Sequence, residues 1–472
     1  VAIARPGALD FADQYATYSA SGIFQLVHDF FKEELSYTGG IPLYQEQLMK
    51  MAVRLGFTLD ESEQLRRIVG KKKVDQMPAW QGKIRQKVTE QNLDPAIGDV
   101  LWKVAEDSAN YSFNKSHSIS YAILAAWTTY LKFKYPQEFF LALLKLSKFE
   151  PDSHREINKI SKELIYFDTA LLSPDLAKSA LDFKIEDKNI RFGLNSIKGV
   201  SEKTLEALQN FRETNTPTKF DIFVAAKQAG INIGLLSSLI QAGTLSSYTN
   251  RRSRLVLEAQ TFNLLTDKEK KFAFSVASKY DYDILTIVSE CAFKNQSINQ
   301  DGKPFMTDKR RGTFKKKYDD YKKIYDQNKN HESFANWVFE NKLLGYTPST
   351  KLKSVFEQSE FSFTDTLEFQ SVLKDEMVKM VGVIEDVYKG KTKKTNSTFY
   401  RFQLKDEVGC ISAMFLDGGK KQRLTEYLED GLKIPDKENI VIFSGRKGDD
   451  VLWIENIGIL DDKIYMKLSD VE

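Results

Sequence analysis

The order of apolar and polar positions divides the chain into a long helical portion followed by a run of strands. Pro42 opens a helical pattern in which Tyr44, Leu48, Met51, Ala52 and Leu55 share one face, and Gly56 closes it. Gln45 and Glu46 fall off that face and are free for other work. The next helix is expected to start at an Asp60/Glu63 capping pair, to bury Leu65, Ile68 and Val69, and to stop at Gly70. The most apolar run, Ile119 to Leu131, is too short for a bilayer and carries Thr128, Thr129 and Tyr130. It is expected as a buried core helix that Pro136 ends. A helix with Phe139, Phe140, Leu143 and Leu144 then leads to a break near Pro151, which closes a first domain over 1–150.

In 151–255 the segment Ile190-Arg-Phe-Gly-Leu-Asn-Ser-Ile-Lys-Gly-Val-Ser201 runs into a helical stretch with Leu205, Leu208 and Phe211. That is the pattern of a helix-hairpin-helix, in which a glycine lets backbone N–H groups approach a DNA phosphate without reading sequence. Lys198, Gly199, Val200 and Ser201 form the hairpin, with Ser201 where a second glycine is usual. Leu239 to Gly243, followed by Arg251, Arg252 and Arg254, is expected as the second hairpin of a tandem duplex-binding pair, or as a structural connection only. The 256–370 block mixes Lys309, Arg310, Arg311, Lys315–Lys317, Lys322 and Lys323 with tyrosines. It reads as a helical, charged extension or linker, either a solvated face or a DNA-tracking surface.

Strand alternation fills 371–472. Val378 to Val387, Tyr400/Phe402/Leu404, Ile411 to Leu416, Ile440 to Phe443 and Val451 to Ile459 give five strands with a short helix between them, the layout of an OB-fold. Lys389, Lys391, Lys393 and Lys394 crowd one loop, beside Phe399, Tyr400 and Arg401; lysines with aromatic rings suit single-stranded nucleic acid, while a plain hairpin loop is the alternative. The predicted fold is therefore multidomain and mainly α, with a C-terminal β OB-fold domain.

Composition narrows the choices. The net charge of +3 is the remainder of 68 basic and 65 acidic side chains, so affinity for nucleic acid has to come from local patches. The two cysteines, Cys291 and Cys410, are too few for a disulfide framework or zinc site, and a cytoplasmic setting is the default expectation. No secretion signal or membrane span is read, and a start at Val1 suggests a piece of a longer protein.

Two clusters carry candidate chemistry. Arg66, Arg67, Lys71, Lys72 and Lys73 project planar forks and mobile charges from the end of an anchored helix, unless they only solvate it. Asn114, Lys115, Ser116 and His117 gather amide, ammonium, hydroxyl and imidazole groups at a helix N-terminus suited to anions, or form a polar loop with Ser116 or Ser118 as N-cap. Together with Arg5-Pro6-Gly7, Tyr44-Gln45-Glu46-Gln47-Leu48-Met49, Tyr130-Leu131-Lys132 and Tyr135-Pro136-Gln137-Glu138-Phe139, in this order, they resemble the fingers region of the bacterial replicative DNA polymerase III alpha subunit, family C.

The resemblance implies a C-terminal segment of such a polymerase. It places Arg5, Gln45, Arg66, Arg67, Lys71–Lys73 and Asn114–His117 at the nucleotide and primer-template, followed by tandem hairpins and a single-strand-binding OB domain. The substrates of the whole enzyme would be primed template DNA and deoxynucleoside triphosphates. A palm whose three aspartates hold Mg²⁺ would precede Val1, so no cofactor is expected on this segment and the palm-containing part is a partner. The family also carries a sliding-clamp peptide; Gln260 to Leu265 is a weak match, and Leu343-Leu344-Gly345-Tyr346 lacks the family's usual His-Pro. The competing reading is a noncatalytic DNA-binding or clamp-tethering protein; a third is a helical scaffold without DNA affinity.

Overall fold

The computed structural model describes the chain except residues 5–7, 72–75, 215, 250, 295–301, 357–361, 393–395, 418–422 and 461–472, and leaves the side chains of 109–111 and 202 aside. Contacts divide it into two compact units, 1–134 and 135–472.

The first unit is helical. The Gln45–Arg54 helix buries Leu48, Met51 and Ala52, and the Leu59–Gly70 helix buries Leu65 and Val69. They share a core with Phe31, Trp80, Ile84 and Leu101, so the apolar stripes meet where their periodicity places them. The second of these helices begins earlier than its sequence suggests: Thr58 is the N-cap, and its capping box closes on Glu61 rather than joining Asp60 to Glu63.

The Lys115–Lys134 helix departs from expectation more sharply. Instead of lying in a core, it exposes Ile119, Tyr121, Leu124, Trp127, Tyr130, Leu131 and Phe133, with Trp127 64% and Phe133 70% accessible. Its apolar residues go all the way round, a pattern that belongs to a helix covered on several sides. The pattern identified the helix correctly, but its cover is not among the described residues.

In the second unit, the Pro136–Leu146 helix inserts Phe140 and Leu144 into the same core as Ile190, Phe192 and Phe211, so the division falls after Lys134 and not at 150. The charged 256–346 stretch belongs to that core as well, through Val256, Phe262, Phe272, Phe314, Tyr318 and Tyr346. Its long Asp308–Asn328 helix spends its charges largely on its own length and on Glu269: Arg310 pairs with Glu269 at 2.9 Å, and Lys315 with Asp319. A small sheet of β1 (Leu171–Leu172), β2 (Lys184–Glu186) and β3 (Asn189–Arg191), in the order β1-β3-β2, leads into the first hairpin.

The terminal strands are β4 (Met377–Lys391), β5 (Thr398–Lys405), β6 (Cys410–Leu416), β7 (Ile440–Lys447) and β8 (Val451–Ile459). They close into a barrel in the order β4-β5-β6-β8-β7, with the Arg423–Glu429 helix between β6 and β7. Phe402, Phe415 and Phe443 fill it, giving the OB-type barrel that strand alternation predicts. No helix among the described residues is long and apolar enough to cross a membrane.

Candidate nucleotide and nucleic-acid interface

The two clusters of the first unit form one site because a short bridge ties their helices together. Phe113 N–H donates to Leu43 O and Gln45 N–H to Phe113 O, both at 3.0 Å, which sets the start of the Lys115–Lys134 helix beside the start of the Gln45–Arg54 helix. Arg66 Nη1 then donates to Gln45 Oε1 at 3.0 Å, while Asn114 Nδ2 and the Lys115 amide donate to the Glu46 carboxylate at 3.0–3.1 Å. The two residues left off the core face are thus the hinge pins of the site. Asn114, not Ser116 or Ser118, is the N-cap: its Oδ1 accepts from the His117 amide at 2.9 Å and from Ser116 Oγ at 2.6 Å.

Charges in the cluster are partly matched. Glu63 takes a two-bond fork from Arg66, both bonds at 2.6 Å, and a 2.7 Å bond from Arg67 Nε. The bonds from Arg66 and then Arg67 pull its carboxyl down to about 2. Arg67 remains 65% exposed, and Lys71 is exposed at the helix C-cap. The Lys115 ammonium lies 4.5 Å from the Tyr37 ring centre and 5.8 Å from that of Tyr44. Burial, with Tyr44, Glu46 and Glu34 nearby, pushes the Tyr37 phenol up to about 12. His117 packs edge-on against Tyr121 at 4.6 Å. The anion-seeking helix N-terminus is thus occupied by Glu46, and the arginine forks by Glu63; a phosphate entering here exchanges with carboxylates. Arg5, Lys72 and Lys73 lie outside the described residues. Sequence reasoning missed Tyr37 and the bridging role of Glu63, and only Glu63 had a signal, its spacing from Arg66 and Arg67.

The two hairpins differ. Lys198, Gly199 and Ser201 are exposed and Val200 half-buried. Gly199 holds φ +96°, which favours glycine, and its amide donates to no acceptor among the described residues. Ser201 is held by Thr204, whose Oγ1 accepts from the Ser201 amide at 3.0 Å. At the second hairpin Gly243 is buried, and a Cβ there would sit 2.7 Å from Arg252 Nη2. Arg252 is itself buried, donating to Gln241 O at 3.0 Å and pairing with the fully buried Glu340 at 2.7 Å. Gly243 and Arg252 are therefore a structural lock and not a DNA grip; Arg251 stays exposed. Arg252→Ala should strand the Glu340 carboxylate and lower stability by about 3–5 kcal/mol. Thermal melting checks this against Arg251→Ala, which should leave the midpoint unchanged.

Gln260, Thr261 and Phe262, expected as a possible clamp peptide, are buried inside the Arg252–Leu264 helix and unavailable as an extended ligand.

On the barrel, cross-strand register lines up Tyr388 with Arg401, Arg401 with Met414, Met414 with Trp453, and Trp453 with Arg446. This row crosses the outer face of β4, β5, β6, β8 and β7. Tyr388, Arg401, Trp453 and Arg446 are exposed, and the Arg401 guanidinium lies 5.4 Å from the Tyr388 ring centre. Phe399 joins it, 5.9 Å from Tyr388; a Cβ on Gly390 would sit 2.7 Å from both rings. Tyr400 falls on the opposite face, stacked on Phe402, with Lys389 5.5 Å from its ring. Lys391 is exposed at the end of β4, and Lys393 and Lys394 lie outside the described residues.

Comparisons with known proteins agree with this layout. Residues 1–92 match the bacterial DNA polymerase III alpha subunit finger domain, and residues 168–255 a helix-hairpin-helix motif. The chain is 38% identical over 226 residues to a DNA polymerase III subunit alpha of Aquifex aeolicus, covering 47% of this chain and 19% of that protein. It is 33% identical over 231 residues to that of Thermus aquaticus (48% and 19%), and 30% over 287 residues to that of Chlamydia trachomatis (60% and 23%). About half of the chain is thus homologous to DNA polymerase III alpha subunits, and the matched region spans about a fifth of those relatives.

Proposed function

We propose that this chain is the fingers-to-OB portion of a replicative DNA polymerase, holding the incoming nucleotide and the primer-template while a palm-containing part supplies the catalytic carboxylates. The observation that carries this reading is the convergence of Arg66, Arg67 and Lys71 with Asn114–His117 through Gln45 and Glu46. Arginine forks suit a triphosphate, which would take the place of the Glu63 carboxylate that now holds them. In the complete enzyme the Mg²⁺ ions would be held by the carboxylates of the palm-containing part.

The second unit offers further DNA contacts of its own. The exposed Gly199 hairpin suits the duplex backbone, and Arg251 adds a charge near the second hairpin. The row from Tyr388 to Arg446 suits unstacked bases of a single strand. Tyr388→Ala combined with Arg401→Ala should weaken binding of single-stranded DNA about tenfold or more, since each lost stack is worth roughly 1–3 kcal/mol, and leave duplex binding unchanged. Fluorescence anisotropy on the whole chain with both DNA forms measures this. Equal loss on both forms, or none on either, would remove the barrel face from the reading.

A further inference from the structure

Outside these surfaces, one cleft of about 370 Å³ opens between the Lys219–Gln228 helix, the start of the Ile233–Gln241 helix and the end of the Arg252–Leu264 helix, with Lys270 of the Asp267–Val276 helix at its edge. Phe223, Ile231, Leu236 and Phe262 wall it, and Lys227 and Lys270 stand in the same lining. The two ammonium groups line the same cleft closely enough for the Lys227 charge to act on Lys270. Neither forms an ion pair with a described carboxylate, and Asp267 attracts Lys270 only at longer range. Lys270 also lies 5.3 Å from the Phe262 ring centre, and its burial and the Lys227 charge hold its ammonium below the usual range. Lys270 is half-buried and Lys227 exposed at the rim, and a partly desolvated ammonium near a second one gains from an anion that joins them.

We infer that this cleft binds an acidic, apolar segment of a partner polypeptide, an apolar side chain filling the walled interior and an adjacent carboxylate bridging Lys227 and Lys270. Charge complementarity selects the carboxylate, and the apolar walls select the rest. A DNA phosphate would satisfy the lysines but gain nothing from Phe223, Ile231, Leu236 and Phe262. The volume is that of a small-ligand or side-chain pocket and not of an extended groove, so the contact is one anchor of a larger interface.

The test uses the full chain with labelled Ile and Leu methyl groups, read by NMR, and phenylbutyrate as the minimal carboxylate on an apolar body. Phenylbutyrate at millimolar concentration should shift the Ile231 and Leu236 methyl signals. Phenylbutanamide should bind about tenfold more weakly, as should phenylbutyrate to the Lys227→Gln/Lys270→Gln variant, the loss expected for a charge-assisted contact. That variant should melt no lower than the parent, because it removes a repulsion. Inorganic phosphate and a short DNA duplex should leave both methyl signals in place. Absence of a phenylbutyrate shift, or equal binding of the amide, overturns the proposal. So does displacement of the same signals by phosphate or duplex, which would make the cleft a backbone-phosphate contact.

Discussion

Given Mg²⁺, the four deoxynucleoside triphosphates and a primed template, the 472-residue chain is expected to add no nucleotide. Phosphoryl transfer of this kind needs metal ions held between the primer hydroxyl and the leaving phosphates, a part the proposed division of labour gives to the palm and one that contributes on the order of a millionfold in rate or more. Addition of the palm-containing part should restore synthesis, and the Lys115–Lys134 helix is the surface expected to receive it. Trp127, Leu131 and Phe133 are large apolar side chains exposed on the helix that starts at the Asn114–His117 cluster, and a partner surface would bury them. Trp127→Glu with Leu131→Glu should block restoration while leaving the circular dichroism of the chain unchanged, because neither side chain is in its core. Synthesis by the chain alone, free of contaminating polymerase, would sink this division of labour. Restoration that ignores both substitutions would move the docking surface elsewhere.

In the assembled polymerase, Arg66→Ala combined with Arg67→Ala should raise the nucleotide concentration needed for half-maximal rate by about 10- to 100-fold, the loss of one or two charge-assisted hydrogen bonds. Lysine at both positions should rescue only partly, since a point charge cannot reproduce the fork. Glu63→Gln is the informative partner. Its carboxylate now takes bonds from both arginines, so the variant should free them and lower the same concentration or leave it unchanged. Steady-state titration of one nucleotide against a saturating primer-template provides the numbers. Overlapping curves for the parent and the double alanine variant would return the cluster to a solvated helix end.

Where the sequence was legible, one element contained its own answer. Leu48, Met51 and Ala52, and Leu65 and Val69, face a core because helical period alone selects a face. The cap of the second helix was misplaced by two residues because Thr58/Glu61 and Asp60/Glu63 both have capping-box spacing, and only the structure chooses. Burial of the Lys115–Lys134 helix was not legible, since period gives a face but not its cover. Arg252 looked like a DNA contact until Glu340, far along the chain, drew it inside. Residues 256–370 looked like an extension because their longest helix buries only Phe314, Tyr318 and Asn328 along its charged length. On the barrel, adjacent Phe399 and Tyr400 had to face opposite ways by the two-residue period of a strand. The row from Tyr388 to Trp453 needed a register that four separate strands settle only when folded.

The most direct measurement is photoaffinity mapping of the triphosphate. The assembled polymerase, held on a primed template, would be irradiated with a nucleotide carrying a photoreactive group on its terminal phosphate, and the labelled peptides identified by mass spectrometry. Label should enter peptides containing Arg66 to Lys71 and Asn114 to His117, and should fall when unmodified nucleotide competes. Competable label confined to other parts of the enzyme, with none in either of these peptides, would contradict the assignment of this site to the incoming nucleotide.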